Sequence, residues 1–387
     1  MIIMHLTVYL IFKYDAVKVL YVIDSYLTGG AETSLLEISS RLQKFVPVVC
    51  VLYPKKSDLR DQFLQRGIAI IELDVKSSFW WIEGVRKLNR VVAAVKPDIV
   101  HSTLYKSEIV TRLALHRKKI PHIGSFVNDS YAENRYKHQS FVKNLKLNFV
   151  RLIDAITAQW VGQFMSITKT IAGTNARALF INPEKITCIY RGRNVTNFPV
   201  FHPPITDKPF TFLTVARLLK RKGYLELFDA AKSLQDKGHK FLIRIAGDGN
   251  DYNLFQERVN HLGIADKIEF LLNRKDVPAL LAQAHCFIFP SHYEGQGGAL
   301  IEAMLAAKPI IASDIPVFKE QITHDQTGKL FQLFNVQDLA EKMEWMLTHY
   351  SRGITLGLKA REDAVERFNI ENTVRLHEEL YISVLAK

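Results

Sequence analysis

The sequence predicts an α/β protein built from two doubly wound units, each with a parallel sheet covered by helices. Short runs rich in β-branched residues alternate with amphipathic helical patterns, which is typical of parallel sheets. A length of 387 residues exceeds what one hydrophobic core supports, and an apolar content of 48% is ample for two cores. A Pro-rich stretch over residues 198–210 interrupts the alternation and indicates a linker.

The first unit is expected to span residues 17–197 and to begin with VKVLYVID as a buried strand. Residues 1–16 form an extension before it. Their apolar run is roughly twelve residues, shorter than the ~20 that span a bilayer, and no basic residue precedes it as in a signal peptide. A short anchor that dips into a membrane is the alternative for this extension. The later strands of the first unit are predicted by VPVVCVLY, IAIIEL, PDIVHST and PHIGSFV.

The second unit is expected to span residues 211–367 and restarts the alternation with the strand FTFLTVAR. The helical pattern that follows has Gly238 at the position of a C-cap. A final helix over residues 368–387 is expected to pack back on the first unit. The apolar residues of the helical pattern are Tyr224, Leu227, Phe228, Ala231 and Leu234, and the later strands are FLIRIAGDG, IEFLL, CFIFPS and PIIAS.

The basic charge of the chain is concentrated in one segment. The net charge is +12, and residues 86–151 hold fourteen Lys and Arg against four Asp and Glu. This asymmetry predicts a polyanionic neighbour, either nucleic acid or anionic lipid. The sequence has no helix-turn-helix pattern and no aromatic-and-basic module for single strands, so nucleic acid is disfavoured.

Residues 136–160, within and beyond this segment, have the pattern of a basic amphipathic helix. Such a helix lies on an anionic lipid surface, with 137–151 as the basic contact. The alternative is a helix packed on the first unit with a solvated basic edge. The charge excess favours lipid. The apolar residues of the pattern are Phe141, Leu145, Phe149, Leu152, Ile156 and Trp160, and the basic ones are Lys137, Lys143, Lys146 and Arg151.

Two carboxylates stand in an otherwise apolar and glycine-rich segment, PSHYEGQGGALIEAMLAAKPIIAS, which predicts a strand, a turn, a helix and a strand. Because an ionised carboxylate is costly to bury alone, Glu302 on the helix needs a partner such as a ligand hydroxyl. Glu294 follows the strand, at the edge where open α/β sheets bind ligands. The plainer alternative is that Glu294 caps the turn and Glu302 pairs with a neighbouring cation.

Glycines between the two glutamates predict a phosphate site. Gly295, Gly297 and Gly298 leave backbone N–H groups bare at a helix N-terminus, where the helix dipole also favours an anion. The turn therefore suits a phosphate flanked by hydroxyl groups.

The stretch PSHYEGQGGALIEAM resembles the Glu-seven residues-Glu signature of glycosyltransferase family 4. The resemblance implies the GT-B fold, in which two Rossmann-like domains face each other across a cleft, and a transfer that retains the anomeric configuration. Other segments match in the same order across nearly the whole chain: Gly29-Gly30-Ala31-Glu32, KPDIVHST, VARLLKRKGYLELFDAA, IAGDGN and KPIIAS.

The resemblance also assigns the donor side. It implies that Arg217 and Lys222 hold the diphosphate of a nucleotide-sugar, that Glu302 binds the ribose hydroxyls and that Glu294 contacts the sugar being transferred. Cations are needed because breaking the bond between sugar and diphosphate develops negative charge on the leaving oxygens. Further donor contacts are implied for Gly30, Gly247, Asn273, Arg274, Gly295, Gly297, Gly298, Ala299 and Leu300.

The acceptor side departs from the family pattern. Val127 and Asn128 stand where members often carry a His, and Arg191-Gly192-Arg193-Asn194 replaces the more usual Asn-Gly-x-Asp. The remaining acceptor candidates are His101, Asn128 and Arg191. For His101 a role as a core histidine is the alternative.

No cofactor and no metal are expected. An Asp-x-Asp motif, the usual means of holding a divalent ion against the diphosphate, does not occur in the sequence. Arg217, Lys222 and the helix N-terminus would replace that ion. The three cysteines form no Cys-x-x-Cys pair, which disfavours structural zinc and fits a reducing compartment.

The sequence therefore predicts a transferase of a hexose or N-acetylhexosamine from a UDP- or GDP-sugar to a saccharide acceptor, expected to be lipid-linked, in bacterial surface polysaccharide synthesis. The expected location is the cytoplasm, with peripheral contact to the membrane. The alternatives are a nucleotide-sugar epimerase of the same fold and a non-catalytic scaffold at a membrane surface. The presence of Arg217, Lys222, Glu294 and Glu302 disfavours the scaffold.

Overall fold

The computed structural model describes residues 17–27, 29–54, 58–131, 140–203 and 209–387. The predicted extension, residues 1–16, and Lys137 lie outside the described residues. The chain forms two units: one holds the described residues up to Gly192 together with Ile370–Lys387, and the other holds Arg193–Asn369. The division precedes the Pro-rich stretch because Arg193 pairs with Asn369 and with Glu302, both in the second unit.

The first unit is a seven-stranded sheet with helices between its strands. Its strands are β1 (Lys18–Ile23), β2 (Val46–Val51), β3 (Ala69–Glu72), β4 (Ile99–Thr103), β5 (His122–Phe126), β6 (Gln163–Ser166) and β7 (Ile186–Cys188). Its helices are α1 (Gly30–Ser39), α2 (Asp58–Gln65), α3 (Trp80–Val95), α4 (Tyr105–Leu115), α5 (Phe141–Ala158), α6 (Lys169–Leu179) and, at the other end of the chain, α14 (Ile370–Leu385). The strand order is β3-β2-β1-β4-β5-β6-β7.

All strand pairs of this sheet among the described residues are parallel. Strand β1 has the burial that is typical of such a sheet. Its KVLYVI sequence is buried from Val19 onward, as expected of a strand that helices cover on both faces. Helix α14 completes the core, where the Tyr381 hydroxyl lies 2.8 Å from that of Tyr21.

The second unit is a six-stranded sheet built in the same way. Its strands are β8 (Phe210–Val215), β9 (Phe241–Ala246), β10 (Ile268–Leu272), β11 (Cys286–Phe289), β12 (Ile310–Ser313) and β13 (Lys329–Phe331). Its helices are α7 (Tyr224–Asp236), α8 (Tyr252–His261), α9 (Val277–Gln283), α10 (Gly298–Leu305), α11 (Pro316–Lys319), α12 (Val336–Thr348) and α13 (Tyr350–Arg367). The strand order is β10-β9-β8-β11-β12-β13, again with parallel pairs throughout the described residues.

These sheets confirm the predicted α/β class with parallel sheets. The helix that begins at Tyr224 ends at Asp236, and Gly238 follows it with a φ of 80°, as predicted for a glycine at a C-cap. Because all strands of a parallel sheet run in one direction, the residues that follow them gather at one edge of each unit.

Candidate functional site

The candidate donor site of the second unit lies where strands β8 and β11 end. These strands are neighbours in the sheet, so the turn after β8, with Arg217 and Lys222, lies near the turn after β11, with Glu294. Gly247 follows β9 and Asn273 follows β10 at the same edge, and the Gly247 N–H donates to the Leu272 carbonyl oxygen at 2.7 Å.

A glycine fixes how the lysine turn approaches β11. Residues Lys220–Lys222 form a short 3₁₀ turn that ends at Gly223, whose φ is 73°. A Cβ on Gly223 would lie 2.0 Å from the carbonyl oxygen of Pro290, so the backbone meets the end of β11 more closely than any other residue allows. The following residue, Tyr224, is fully buried and begins α7.

Lys222 and Glu294 form a largely buried ion pair. Nζ of Lys222 donates to Oε1 of Glu294, and only 9% of the lysine side chain and 11% of the glutamate side chain are exposed. The ammonium also lies 5.6 Å from the centre of the Phe289 ring. Burial lowers the pKa of Lys222, and the Glu294 carboxylate acts in the opposite direction by favouring the charged form.

Arg217 lies within electrostatic reach of this pair. Its positive charge, like that of Arg221, lowers the pKa of Lys222. Arg217 is exposed, and no hydrogen bond or ion pair of its guanidinium is found among the residues that the structure describes. The guanidinium therefore remains available to an anion, in contrast to Lys222, which already has a carboxylate partner.

Helix α10 begins at the glycines that the sequence predicted as a phosphate site. Gly297 precedes the helix with a φ of 73°, and Gly298 is its first residue. The first N–H groups of a helix have no acceptor within it, so those of Gly298 and Ala299 point out of its N-terminus. Leu300 is fully buried, and its N–H donates to the Gly297 carbonyl oxygen at 2.9 Å, so its side chain packs beneath the turn.

Glu302, one turn into α10, pairs with Arg193. Nε of Arg193 donates to Oε1 of Glu302 at 2.8 Å. The same guanidinium lies over Gly298, where a Cβ would be 2.4 Å from one of its terminal nitrogens. This pairing is the plainer alternative for Glu302. It also leaves the second carboxylate oxygen able to accept from a hydroxyl group, because each oxygen has its own lone pairs.

Two of the remaining donor candidates, Asn273 and Arg274, are exposed. Asn273 and Arg274 follow β10, and Arg274 forms two hydrogen bonds with Asp276, from Nε to Oδ1 at 2.8 Å and from a terminal nitrogen to Oδ2 at 2.6 Å. Gly295 is half-buried on the turn between Glu294 and α10. The second unit thus brings the predicted donor residues other than Gly30 to one edge of its sheet.

The first unit brings Gly30 and Arg191 together. Gly30 begins α1, and a Cβ there would lie 2.8 Å from a terminal nitrogen of Arg191. Glu32 follows in the first turn of α1. Burial raises the pKa of its carboxyl group above the ordinary value, and the positive charge of Arg191 offsets only part of this rise. Asn128, just beyond β5, is exposed.

His101 belongs to a buried network of the first unit. Its Nδ1 lies 2.8 Å from the Tyr381 hydroxyl and its Nε2 lies 2.7 Å from the Ser125 hydroxyl. Burial lowers the pKa of His101 well below its ordinary value, so the ring is neutral near pH 7. Both ring nitrogens have partners, which is the arrangement of a core histidine.

The sequence did not predict the role of Arg193 or the contact of Phe289 with the lysine. In the sequence, Arg193 was noted only as part of the segment that replaces the family's Asn-Gly-x-Asp motif. It is separated from Glu302 by 109 positions. No local spacing could connect them. Chemically, the site combines cations, a helix N-terminus and carboxylates, which suits a substrate with both phosphate and hydroxyl groups.

Comparison with known families divides the chain into two matched halves. Residues 28–197 match the family model described as Glycosyltransferase Family 4. Residues 199–366 match the family model described as Glycosyl transferases group 1.

Two bacterial transferases are similar over most of the chain. An N,N'-diacetylbacillosaminyl-diphospho-undecaprenol α-1,3-N-acetylgalactosaminyltransferase of Campylobacter jejuni is 24% identical, over 83% of this chain and 90% of its own. A UDP-Gal:α-D-GlcNAc-diphosphoundecaprenol α-1,3-galactosyltransferase of Escherichia coli is 23% identical, over 92% of this chain and 87% of its own.

Among solved structures, HepE of Anabaena in complex with UDP and glucose has a similar fold, with a TM-score of 0.81 and 18% identity. The match covers 95% of this chain and 100% of that chain. The similarity confirms the predicted fold.

Proposed function

The chain belongs to glycosyltransferase family 4, and from this premise we propose that it transfers a hexose or N-acetylhexosamine from a UDP-sugar to a saccharide carried on a lipid diphosphate. One observation carries the proposal. Lys222, its partner Glu294 and Arg217 stand together where strands β8 and β11 end, the edge at which open α/β sheets bind ligands, and the N-terminus of α10 follows Glu294 in the chain.

These groups have separate roles in the proposed reaction. When the bond between the sugar and the diphosphate breaks, negative charge grows on the leaving oxygens. Lys222, Arg217 and the free N–H groups of α10 stabilise that charge. Glu294 holds Lys222 in place and accepts from a hydroxyl of the sugar, while Glu302 accepts from a ribose hydroxyl. We propose that the reaction retains the anomeric configuration and needs no metal ion.

The names of the relatives support the choice of substrates. The Campylobacter and Escherichia enzymes are both named for saccharide acceptors on diphospho-undecaprenol, and the latter is named for UDP-Gal. The Anabaena structure is that of a complex with UDP and glucose. A UDP-sugar and a lipid-linked acceptor, used in surface polysaccharide synthesis, are therefore the substrates to test first.

A nucleotide panel followed by a transfer assay tests the proposal. UDP is expected to raise the melting temperature of the protein more than GDP or ADP does. The Lys222→Met variant is expected to show a smaller rise with UDP. Release of UDP from UDP-Glc, UDP-Gal, UDP-GlcNAc and UDP-GalNAc is then followed with a synthetic polyprenyl-diphosphate saccharide, with and without EDTA. Stabilisation by none of the nucleotides would contradict the donor site. Interconversion of sugars without an acceptor would favour an epimerase, and activity lost in EDTA would overturn the metal-independent mechanism.

Helix α5 supports a contact with anionic membrane. The apolar residues of its predicted stripe face solvent, with Phe141 82% exposed and Phe149 63% exposed. Lys143, Lys146 and Arg151 are exposed on the same helix. An exposed apolar stripe with interleaved cations matches the chemistry of an anionic lipid surface, where the apolar face enters the headgroup region. Among the described residues, no helix is long and apolar enough to cross a bilayer.

Vesicle flotation tests this contact. The protein is expected to float with phosphatidylglycerol vesicles and less with phosphatidylcholine vesicles, and added salt should weaken the binding. Leu145→Ser with Phe149→Ser should abolish flotation. Phe79→Ser, which changes an exposed phenylalanine elsewhere on the first unit, is the matched control. Equal flotation of the double variant and the control would contradict the membrane contact. If the protein instead forms a concentration-dependent dimer that Leu145→Ser with Phe149→Ser dissociates, the apolar face of α5 binds a second copy of the chain.

A further inference from the structure

A cavity of about 340 Å³ lies at the edge of the first unit opposite its candidate site residues. Its floor is formed where β5 and β6 begin, at His122 and Gln163, whereas Gly30 and Asn128 lie at strand ends. The volume is within the range of small-ligand pockets and more than ten times the ~30 Å³ share of one water molecule. The cavity is therefore separate from the proposed reaction.

The cavity is lined by cations and by no acidic side chain. Arg112, Lys118, Lys119 and Lys387 contribute to the lining, and no Asp or Glu is among the described residues around it. Lys118 donates to the side chain of Asn89, and no hydrogen bond or ion pair of the Lys119 ammonium is found in the part of the chain that the structure describes. The charged side chains that line the cavity are therefore all cationic.

The guanidinium of Arg112 is held by carboxylates behind the wall of the cavity. Arg112 is 2% exposed, and its other nitrogens bind Glu108 and Asp154. Its Nε has no hydrogen-bond partner among the described residues. This nitrogen is closed to solvent, so an anion in the cavity meets the lysine ammonium groups rather than the guanidinium.

The cavity adjoins the C-terminal end of helix α5. Trp160, just beyond the end of α5, lines it, and its ring centre lies 3.9 Å from that of His116 on the same wall. We infer that this cavity binds a phosphate group, either free or carried by the headgroup of an anionic lipid. The lipid source rests on the membrane contact proposed above, whereas the phosphate site does not.

The probe is inorganic phosphate titrated into the full-length protein while the indole N–H resonance of Trp160, identified with Trp160→Phe, is followed by NMR. A saturable shift is expected. Lys118→Gln with Lys119→Gln should weaken binding by about tenfold or more, since charge-assisted hydrogen bonds are lost. Lys96→Asn, an exposed lysine at the end of α3 outside the cavity lining, is the matched control.

Competition separates the two sources of phosphate. Dihexanoyl phosphatidylglycerol below its micelle concentration should displace inorganic phosphate if the ligand is a headgroup, and tighter binding of free phosphate would assign the site to a soluble ion. The absence of a saturable shift, or an equal loss in Lys96→Asn, would overturn the inference. Release of UDP by the double lysine variant with a soluble acceptor should be unchanged, so failure of this site and failure of the proposed transfer are distinguishable.

Discussion

Replacing Lys222 by Met removes the cation that the structure holds most firmly in the candidate donor site. Methionine keeps most of the length and apolar volume of the side chain, whereas the contact of the ammonium with the Phe289 ring is lost together with the charge. The change is then confined to the charge and to the hydrogen bond with Glu294. In the proposed reaction this charge is needed when the diphosphate leaves.

The expected loss follows from the burial of the pair. Loss of one preorganised donor to a developing anion costs about 10²–10³ in kcat, or about 2.7–4 kcal/mol. Only 9% of the Lys222 side chain is exposed, so water screens its charge weakly and the upper part of that range applies. We expect kcat to fall by about 10³, with KM for the UDP-sugar changed by about fivefold or less, because the interaction strengthens as the bond breaks.

The assay is steady-state release of UDP, with the melting temperature measured in parallel. Lys220→Met, an exposed lysine on the same 3₁₀ turn, is the matched control and should retain activity. Because Glu294 is left without its partner, Lys222→Met with Glu294→Gln should regain stability but not activity. A kcat of Lys222→Met within about threefold of the wild type, or an equal loss in Lys220→Met, would refute the reasoning.

The pH dependence gives an independent measure of the same charge. Burial lowers the pKa of Lys222, and only its protonated form stabilises the leaving diphosphate. Activity should therefore fall as pH rises, at a lower pH than an ordinary lysine would require. Lys222→Arg should remove this alkaline fall because a guanidinium stays protonated. An unchanged alkaline limb in Lys222→Arg would assign the fall to another group.

Three further variants follow from the second unit. Glu294→Ala should abolish turnover while UDP still raises the melting temperature; retained turnover would remove Glu294 from the site. Arg193→Met should lower the free energy of unfolding by about 1.5–3 kcal/mol in urea titrations, and by less in a Glu302→Gln background, because the hydrogen bond between them is charge-assisted. Burial lowers the pKa of Lys308 to about 8, because the folded protein favours the neutral amine. The stabilisation from this preference is full above the unfolded pKa of 10.5 and is lost as pH falls through 8. The free energy of unfolding should therefore rise between those pH values by about 3 kcal/mol more than in Lys308→Met, and equal slopes would contradict this.

Local patterns were sufficient to predict the elements around the site. FTFLTVAR and CFIFPS predicted β8 and β11, and the glycines before Leu300 predicted the N-terminus of α10. These signals depend on burial and on backbone freedom, which neighbouring residues determine. The family resemblance then added the roles of single side chains.

The partners of those side chains could not be predicted. Lys222 meets Glu294 because β8 lies beside β11 although β9 and β10 come between them in the chain. Strand order results from the packing of the whole unit, which no window of residues records. The same limit applies to α5: its periodicity predicted a helix, but the solvent exposure of its apolar face depends on what the rest of the first unit covers.

The return of α14 to the first unit has a consequence for synthesis on the ribosome. The Tyr21 hydroxyl and His101 Nδ1 both have the Tyr381 hydroxyl as a partner, and 360 positions separate the two tyrosines. Until Tyr381 emerges, the nascent first unit carries a buried polar network that lacks its central member. We therefore expect the first unit to wait in an incomplete state while the second unit, whose described core is contiguous in sequence, folds ahead of it.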